Sequence, residues 1–204
     1  MANSMHKLSY GLFVVTVKNT QKQNGCITNT VMQVTTTPNT ITLAVNKQNY
    51  THDLIKENKI FNVSIISQKA DFSLFKRFGF QTGREVDKFE GFNDYKVASN
   101  GVYYITKGVN AVISAKVTNV IDLGTHSLFI ADVTDEFIID EVTPSATYAY
   151  YFANIKPKPQ AKVEKTLWRC NICGYEEEVE ELPDDFECPL CKHPKADFTK
   201  VNAL

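Results

Sequence analysis

From residue 12 onward, short runs of β-branched and aromatic residues alternate with clusters of Asn, Thr, Gly and Pro. Residues 12–17, 40–45, 60–66, 111–117 and 127–133 are such runs, and each predicts a strand. Two segments read as helices. Residues 50–58 carry apolar Leu54 and Ile55 behind a capping-type Thr51, and residues 69–78 form a second short helix with Asp71 as its cap. Many short strands separated by turn signals, with few helices, predict a mainly β fold, a β-barrel crossed by a few helices. The pattern fails at residues 154–165, where two prolines and alternating lysines leave little to bury. That stretch predicts a semi-extended linker of about 3 Å per residue. It divides the chain into a body, residues 1–153, and a small tail module, residues 166–204.

Composition supports this division. With 204 residues, 43% hydrophobic and 11% aromatic, the chain has enough material for a body with its own core plus a small module. The net charge of −1 gives no electrostatic case for nucleic acid or an anionic membrane as partner. The charge is unevenly divided. Residues 166–204 hold four Lys/Arg and nine Asp/Glu, which makes the tail about −5 and the body about +4. The N-terminal residues lack an apolar run long enough for a signal peptide, and no window approaches a membrane span, so a cytoplasmic protein is expected. Five cysteines, four of them paired in short motifs and Cys26 left over, fit a reducing compartment better than a disulfide framework.

The four paired cysteines carry the most specific chemistry. Cys170-Asn-Ile-Cys173 and Cys188-Pro-Leu-Cys191 place four thiolates on two short turns able to close over one ion, the tetrahedral four-sulfur arrangement of zinc or iron. The ligands alone do not choose between the two metals. Gly174, just past the first pair, is suited to positive φ, which turns backbone N–H groups toward sulfur. Trp168, Tyr175 and Phe198 supply bulky apolar area, and the ion must supply much of the module's folding free energy. These residues, with Leu167-Trp168-Arg169 before the first pair and residues 193–198 after the second, resemble the rubredoxins. They resemble in particular the shortened rubredoxin domain found at the C-terminus of rubrerythrins. The resemblance implies a single iron that passes one electron at a time. Two departures stand out: only fourteen residues separate the pairs, and Lys192 stands where a second glycine is usual. The spacing also falls near that of zinc ribbons.

In the body, residues 24–36, 45–52 and 78–89 are rich in donors at turn-like positions. Thr28, Asn29 and Thr30 offer hydroxyls, an amide and N–H groups suited to a ribityl chain, a phosphate or the polar edge of an isoalloxazine. Asn46, Lys47, Tyr50 and Thr51 bring a cation and further donors to a loop that opens a helix, and a helix N-terminus is a natural phosphate seat. Arg84 and Lys88 add charge from the Thr-Gly-Arg-x-x-Asp-Lys-Phe stretch. Taken singly, such residues merely decorate β-turns. In this order they resemble the flavin reductase family, split β-barrels that bind FMN, from about Leu8 to Tyr151. With the tail, the chain is similar to the high-molecular-weight rubredoxins, fusions of the two domains in anaerobes. The resemblance implies a homodimer with flavin near the interface. It also matches His126 to a position facing the nicotinamide side of the flavin, where it orients the dinucleotide or supplies a proton. As a lone histidine beside a strand, it reads equally well as a packing residue. His52 and His193 read as structural or solvent-facing; Cys26 suits a place near the flavin, but its commoner role is a small buried hydrophobe, and no adjacent His or Lys would activate its thiol.

Electron counting joins the halves. Nicotinamide gives up two electrons at once, a thiolate-bound iron accepts one, and a flavin mediates between them. The expected function is electron transfer from NAD(P)H, directly or through a reductase, via FMN and iron to a partner. The resemblance suggests a flavodiiron protein that reduces oxygen or nitric oxide as that partner. No glycine-rich dinucleotide fingerprint is present, so NAD(P)H would meet the flavin in the barrel cleft. Two other functions fit the sequence: an FMN-binding regulatory or interaction protein with a structural zinc ribbon, and a plain NAD(P)H:flavin reductase.

Overall fold

The computed structural model describes residues 4–20, 22–158 and 166–201. The chain divides into two compact units after Pro157. The body's strands are β1 (Phe13–Lys18), β2 (Gln23–Thr28), β3 (Met32–Thr36), β4 (Asn39–Asn46), β5 (Ile60–Ile66), β6 (Tyr95–Val97), β7 (Tyr103–Ile105), β8 (Val109–Asp122) and β9 (His126–Ile138). Its helices are α1 (Tyr50–Asn58) and α2 (Phe72–Gly79), with a further helical segment over residues 148–155.

Seven strands form one antiparallel sheet in the order β2-β1-β5-β8-β9-β4-β3. Consecutive strands β2 and β3 therefore lie at opposite edges. Laid flat, six strand spacings would part them by about 29 Å. The four Cα steps from Thr28 to Met32 span at most about 14 Å. The sheet must roll until its edges approach, which makes a barrel split between β2 and β3. The Thr30 hydroxyl stitches the split by donating to the Ala44 carbonyl of β4 at 2.7 Å.

The barrel buries two apolar clusters, and β1 serves both. Val15 and Val17 point with Leu43, Phe61 and Phe129 into one cluster closed by Leu54 and Ile55 of α1. Leu12 and Val14 face the other, against Leu74, Phe75 and Phe78 of α2. This two-sided burial is why residues 12–17 lack alternation. The backbone of hairpin β6–β7 docks on side chains of β5: Asn62 Nδ2 donates to Val102 O and Ser64 Oγ accepts from Ile105 N. No helix among the described residues is long and apolar enough to cross a membrane.

The strands foreseen at residues 111–117 and 127–133 are much longer in fact, since β8 and β9 form a 14- and 13-residue hairpin. The added residues, 118–122 of β8 and 134–138 of β9, are mostly exposed and pair through the ladder with a few side-chain contacts, such as Ser99 Oγ to Asp135 at 3.3 Å and the Tyr104 ring edge-on to Phe137. The cap of α1 is Asn49 and not Thr51: Asn49 Oδ1 accepts from Thr51 N at 3.0 Å, while the Thr51 hydroxyl is buried and accepts from Asn24 Nδ2. Asp71 caps α2 through Ser73 N at 2.7 Å. The stretch read as a linker begins as helix, since Lys156 N bonds to Tyr151 O and Asn154 Nδ2 to Tyr150 O. Its residues 159–165 lie outside the described residues.

In the tail unit, β10 (Thr166–Cys170) is the centre of a three-stranded sheet flanked by β11 (Glu176–Val179) and β12 (Phe198–Val201). Trp168, Leu182, Phe198 and the buried cysteines fill its small core.

Candidate functional site

Two sites stand out, one in each unit. In the body, Cys26 and Ile27 of β2, Asn46 at the end of β4, residues 48–50 and residues 78–82 surround an open cleft of about 350 Å³, with Lys88 among its lining. That volume lies within the range of about 300–1,000 Å³ usual for small-molecule sites. Lys88 is only 3% exposed, and its ammonium donates to Gly25 O at 2.8 Å and Phe78 O at 3.1 Å. One of its three donors is thereby left over. Burial pushes the Lys88 pKa down, and the neighbouring Cys26 works against that shift. Cys26 is itself pushed up by burial, against the opposing pull of Thr51, Lys88 and Asn49. Burial thus disfavours the charged form of both groups, and the cleft lining combines a lysine nitrogen engaged by two carbonyls with a thiol unsuited to thiolate nucleophilic chemistry.

Of the residues singled out from sequence, the structure brings Asn46, Tyr50 and Lys88 into this cleft. Thr51 lies beneath it, fully buried. Thr28 and Thr30 bond to each other at 2.7 Å and serve the barrel seam. Asn29 sits in the link between the split edges. Lys47 is held by Asp122 at 2.6 and 2.8 Å. Arg84 pairs with Asp53 at 2.6 Å and lies over the Tyr50 ring, 5.1 Å from its centroid. His126 opens β9 opposite Asn46, with Nδ1 2.9 Å from the Thr125 hydroxyl. His52 is structural: its ring bridges Asp53 and Ser127. At the α1 N-terminus, Asn49 already satisfies Thr51 N and His52 N, so few donors stay open there. Sequence reasoning passed over Gln48, Asn49 and residues 79–82 as cleft residues. Their signal was present in the turn-forming stretches 45–52 and 78–89.

The tail site is a cage of thiols. The Sγ atoms of Cys170, Cys173, Cys188 and Cys191 all lie within 4.8 Å of one another. Cys170–Cys191 is 3.6 Å and Cys173–Cys188 is 3.5 Å, close to the tetrahedral edge of about 3.8 Å set by metal–sulfur bonds of about 2.3 Å. Two matching loops build it. Gly174 N donates to Cys170 O and Lys192 N to Cys188 O, both at 2.9 Å, and both residues take positive φ, 77° and 62°. Lys192 therefore adopts the glycine conformation without being glycine. Burial opposes ionisation of Cys188, yet the amides of Cys191 and Leu190 and the neighbouring thiols bring its pKa down to about 6. Cys191 is helped by the His193 amide, but burial and its three neighbours push it up to about 12. Four thiolates this close repel one another unless a cation sits among them. The donor set therefore fits a metal held by four sulfurs.

Together these features define a split β-barrel with a small-molecule cleft and, on the same chain, a four-cysteine metal module. Residues 5–158 match the flavin reductase like domain, and residues 168–199 match the rubrerythrin, rubredoxin-like domain. A high molecular weight rubredoxin of Moorella thermoacetica is 33% identical, with 97% of this chain and 98% of that protein covered. A ferric-chelate reductase (NAD(P)H) of Archaeoglobus fulgidus is 37% identical over 76% of this chain and 90% of its own. Among solved structures, flavin reductase PheA2 superposes with a TM-score of 0.56 at 29% identity, covering 67% of this chain and 84% of that one. The chain belongs to the flavin reductase-like family and shares with high molecular weight rubredoxins the appended rubredoxin-like domain. It is an oxidoreductase, and its two domains imply flavin, NAD(P)H and iron.

Proposed function

We propose that this chain is an electron-transfer flavoprotein that accepts hydride equivalents from NAD(P)H and delivers electrons singly to a separate protein. Bound FMN would supply the conversion from two-electron to one-electron chemistry, and an iron held by the four cysteines the one-electron outlet. The observation that carries this reading is the thiol cage on the same chain as the flavin reductase barrel. A barrel that only released reduced flavin would have no use for a second redox site.

The residues have distinct tasks. Asn46, Gln48 and Asn49 offer amide donors and acceptors to the polar edge and side chain of the flavin, Tyr50 an aromatic face, and Lys88 a buried N–H donor fixed by Gly25 O and Phe78 O. Arg84 and Lys47 are assigned to the rim, where their ion pairs with Asp53 and Asp122 keep them ordered. Thr28, Asn29, Thr30 and Thr51 are assigned to the wall and seam of the site. His126 is assigned to orienting the dinucleotide, supported by its pairing with Asn46. Ile172 and Leu190, 56% and 70% exposed, flank Cys173 and Cys191 and offer an apolar contact for an electron acceptor. A flavodiiron protein is the acceptor we favour. A homodimer is supported by the exposed Met32 and Val34 on edge strand β3 and by Ile121 and Leu123 at the tip of the β8–β9 hairpin. It would let the tail of one subunit serve the flavin of the other. Five free cysteines, four in a metal cage, suit the reducing cytoplasm.

Metal analysis with an absorption spectrum of anaerobically purified protein tests the reading. One iron per chain, with flavin and ferric-thiolate bands both bleached by NADH, is expected. Stoichiometric zinc and no thiolate colour would favour a regulatory barrel carrying a structural ribbon.

A further inference from the structure

Lys88 enters the lining of the cleft from a turn, residues 88–91, and not from a helix or strand. A side chain that starts on a turn keeps one direction only when other groups lock it. Two consecutive residues of α2 hold Lys88 at both of its ends. Its Nζ donates to Phe78 O at 3.1 Å, and its own carbonyl accepts from Arg77 Nη1 at 3.2 Å. The Phe78 carbonyl belongs to the last turn of α2, where carbonyls lack a partner within the helix, so Lys88 completes the end of the helix that holds it.

Arg77 grips more than one point of the turn. The same Nη1 donates to Glu90 O at 3.0 Å, so one guanidinium nitrogen bridges two carbonyls two residues apart. The guanidinium carbon sits 5.3 Å from the ring centroid of Phe92, and Phe92 packs edge-on against Phe78 at 5.4 Å. Arg77 makes no ion pair among the described residues, so its charge is not spent on a carboxylate. Nor does it line the cleft: it is half-buried in the wall of a separate cavity of about 510 Å³, together with Gln81 and Phe92. A lysine or methionine at this position would also cover Phe92. What arginine alone supplies is a planar set of N–H donors that serves two carbonyls while lying over a ring.

We infer that Arg77 is a positioning residue for Lys88. By fixing the carbonyls of Lys88 and Glu90 it sets the direction in which Lys88 Nζ meets the cleft, and through it the affinity for flavin, without touching the flavin itself. The inference rests on Lys88 as a flavin contact and adds what holds that contact in place.

The test is a double-substitution cycle on the full chain stripped of flavin: wild type, Arg77→Met, Lys88→Met and the double variant. Each is titrated with FMN by fluorescence quenching, and each is melted. Arg77→Met keeps apolar contact with Phe92 and removes the donors. It should weaken FMN about tenfold when Lys88 is present and by under about twofold when Lys88 is replaced, because residues that act through one another are not additive. Arg77→Lys, which restores a charge without the planar donors, should recover little of the lost affinity. An equal loss of affinity in both backgrounds, or a lower melting temperature with wild-type FMN affinity, would overturn the inference and leave Arg77 a packing residue. If Lys88→Met alone binds FMN as wild type does, Lys88 is no flavin contact and the inference falls with it, while metal content and bleaching by NADH still decide the electron-transfer reading. Should Lys88→Met not fold, Lys88→Gln takes its place in the cycle, since its amide still donates to a carbonyl.

Discussion

Replacing Cys188 by serine is expected to abolish electron delivery to an external acceptor while reduction of the bound flavin by NAD(P)H continues. Cys188 is fully buried at the centre of the tail unit, its N–H bonded to His193 O at 2.8 Å. It is the more readily ionised of the two strongly shifted thiols, at about 6. A serine hydroxyl there is a hard, protonated, poor ligand for a metal that the other three sulfurs hold as a soft site. Because binding free energies of about 10–16 kcal/mol underpin small metal modules of this kind, losing one ligand should also loosen the tail fold. Trp168, the single tryptophan of the chain, is buried beside Cys170 and Phe198 and reports on that unit alone. Its emission should shift to the red in the variant. Flavin reduction is spared because the body is a separate compact unit with its own two clusters. Unchanged delivery in the variant would show the iron to be off the path.

The second large effect is expected in the body. In Gly83→Ala, the new Cβ would stand 2.1 Å from Asn24 Oδ1 and 2.7 Å from its Cγ. Asn24 is 2% exposed and cannot swing away freely, since its Nδ2 donates to the buried Thr51 hydroxyl at 2.9 Å. Relief requires either breaking that bond, at about 1–3 kcal/mol for stranded buried groups, or shifting residues 82–88 at a similar cost. Thermal unfolding of the body should fall accordingly. Because residues 82–88 wall the cleft, FMN affinity should fall about tenfold or more, as a change of about 1.4 kcal/mol at the site implies. Titration of FMN fluorescence quenching reads this directly. Wild-type affinity together with wild-type stability would show that residues 82–88 do not shape the cleft.

How much of this was legible in the sequence depends on whether the information was local. The thiol cage was fully legible, because two Cys-x-x-Cys turns fix their own geometry and Gly174 supplies the positive φ. Lys192 was read as a departure, yet it adopts the same conformation, since the loop's hydrogen bond to Cys188 O requires it whatever the side chain. The five apolar runs were legible as strands. Strands β2 and β3 were not: Gln23-Asn-Gly and the fully exposed Met32–Thr36 have weak intrinsic preference, and they are strands because barrel edges pair with β1 and β4. In the cleft, residue type predicted polarity but not direction. Thr28, Thr30 and Thr51 were chosen for hydroxyls that the fold spends on the seam and the core. Asn49 was missed because a cap and a cleft donor look the same in one dimension.

The most direct test of the central claim is anaerobic stopped-flow mixing of the oxidised, metal-loaded chain with NADH, followed at separate flavin and ferric-thiolate wavelengths. The account predicts flavin bleaching first and thiolate-band bleaching second, the second phase independent of protein concentration because donor and acceptor sites share one tethered assembly. A flavin that is fully reduced while the iron stays oxidised for the length of a turnover would contradict it.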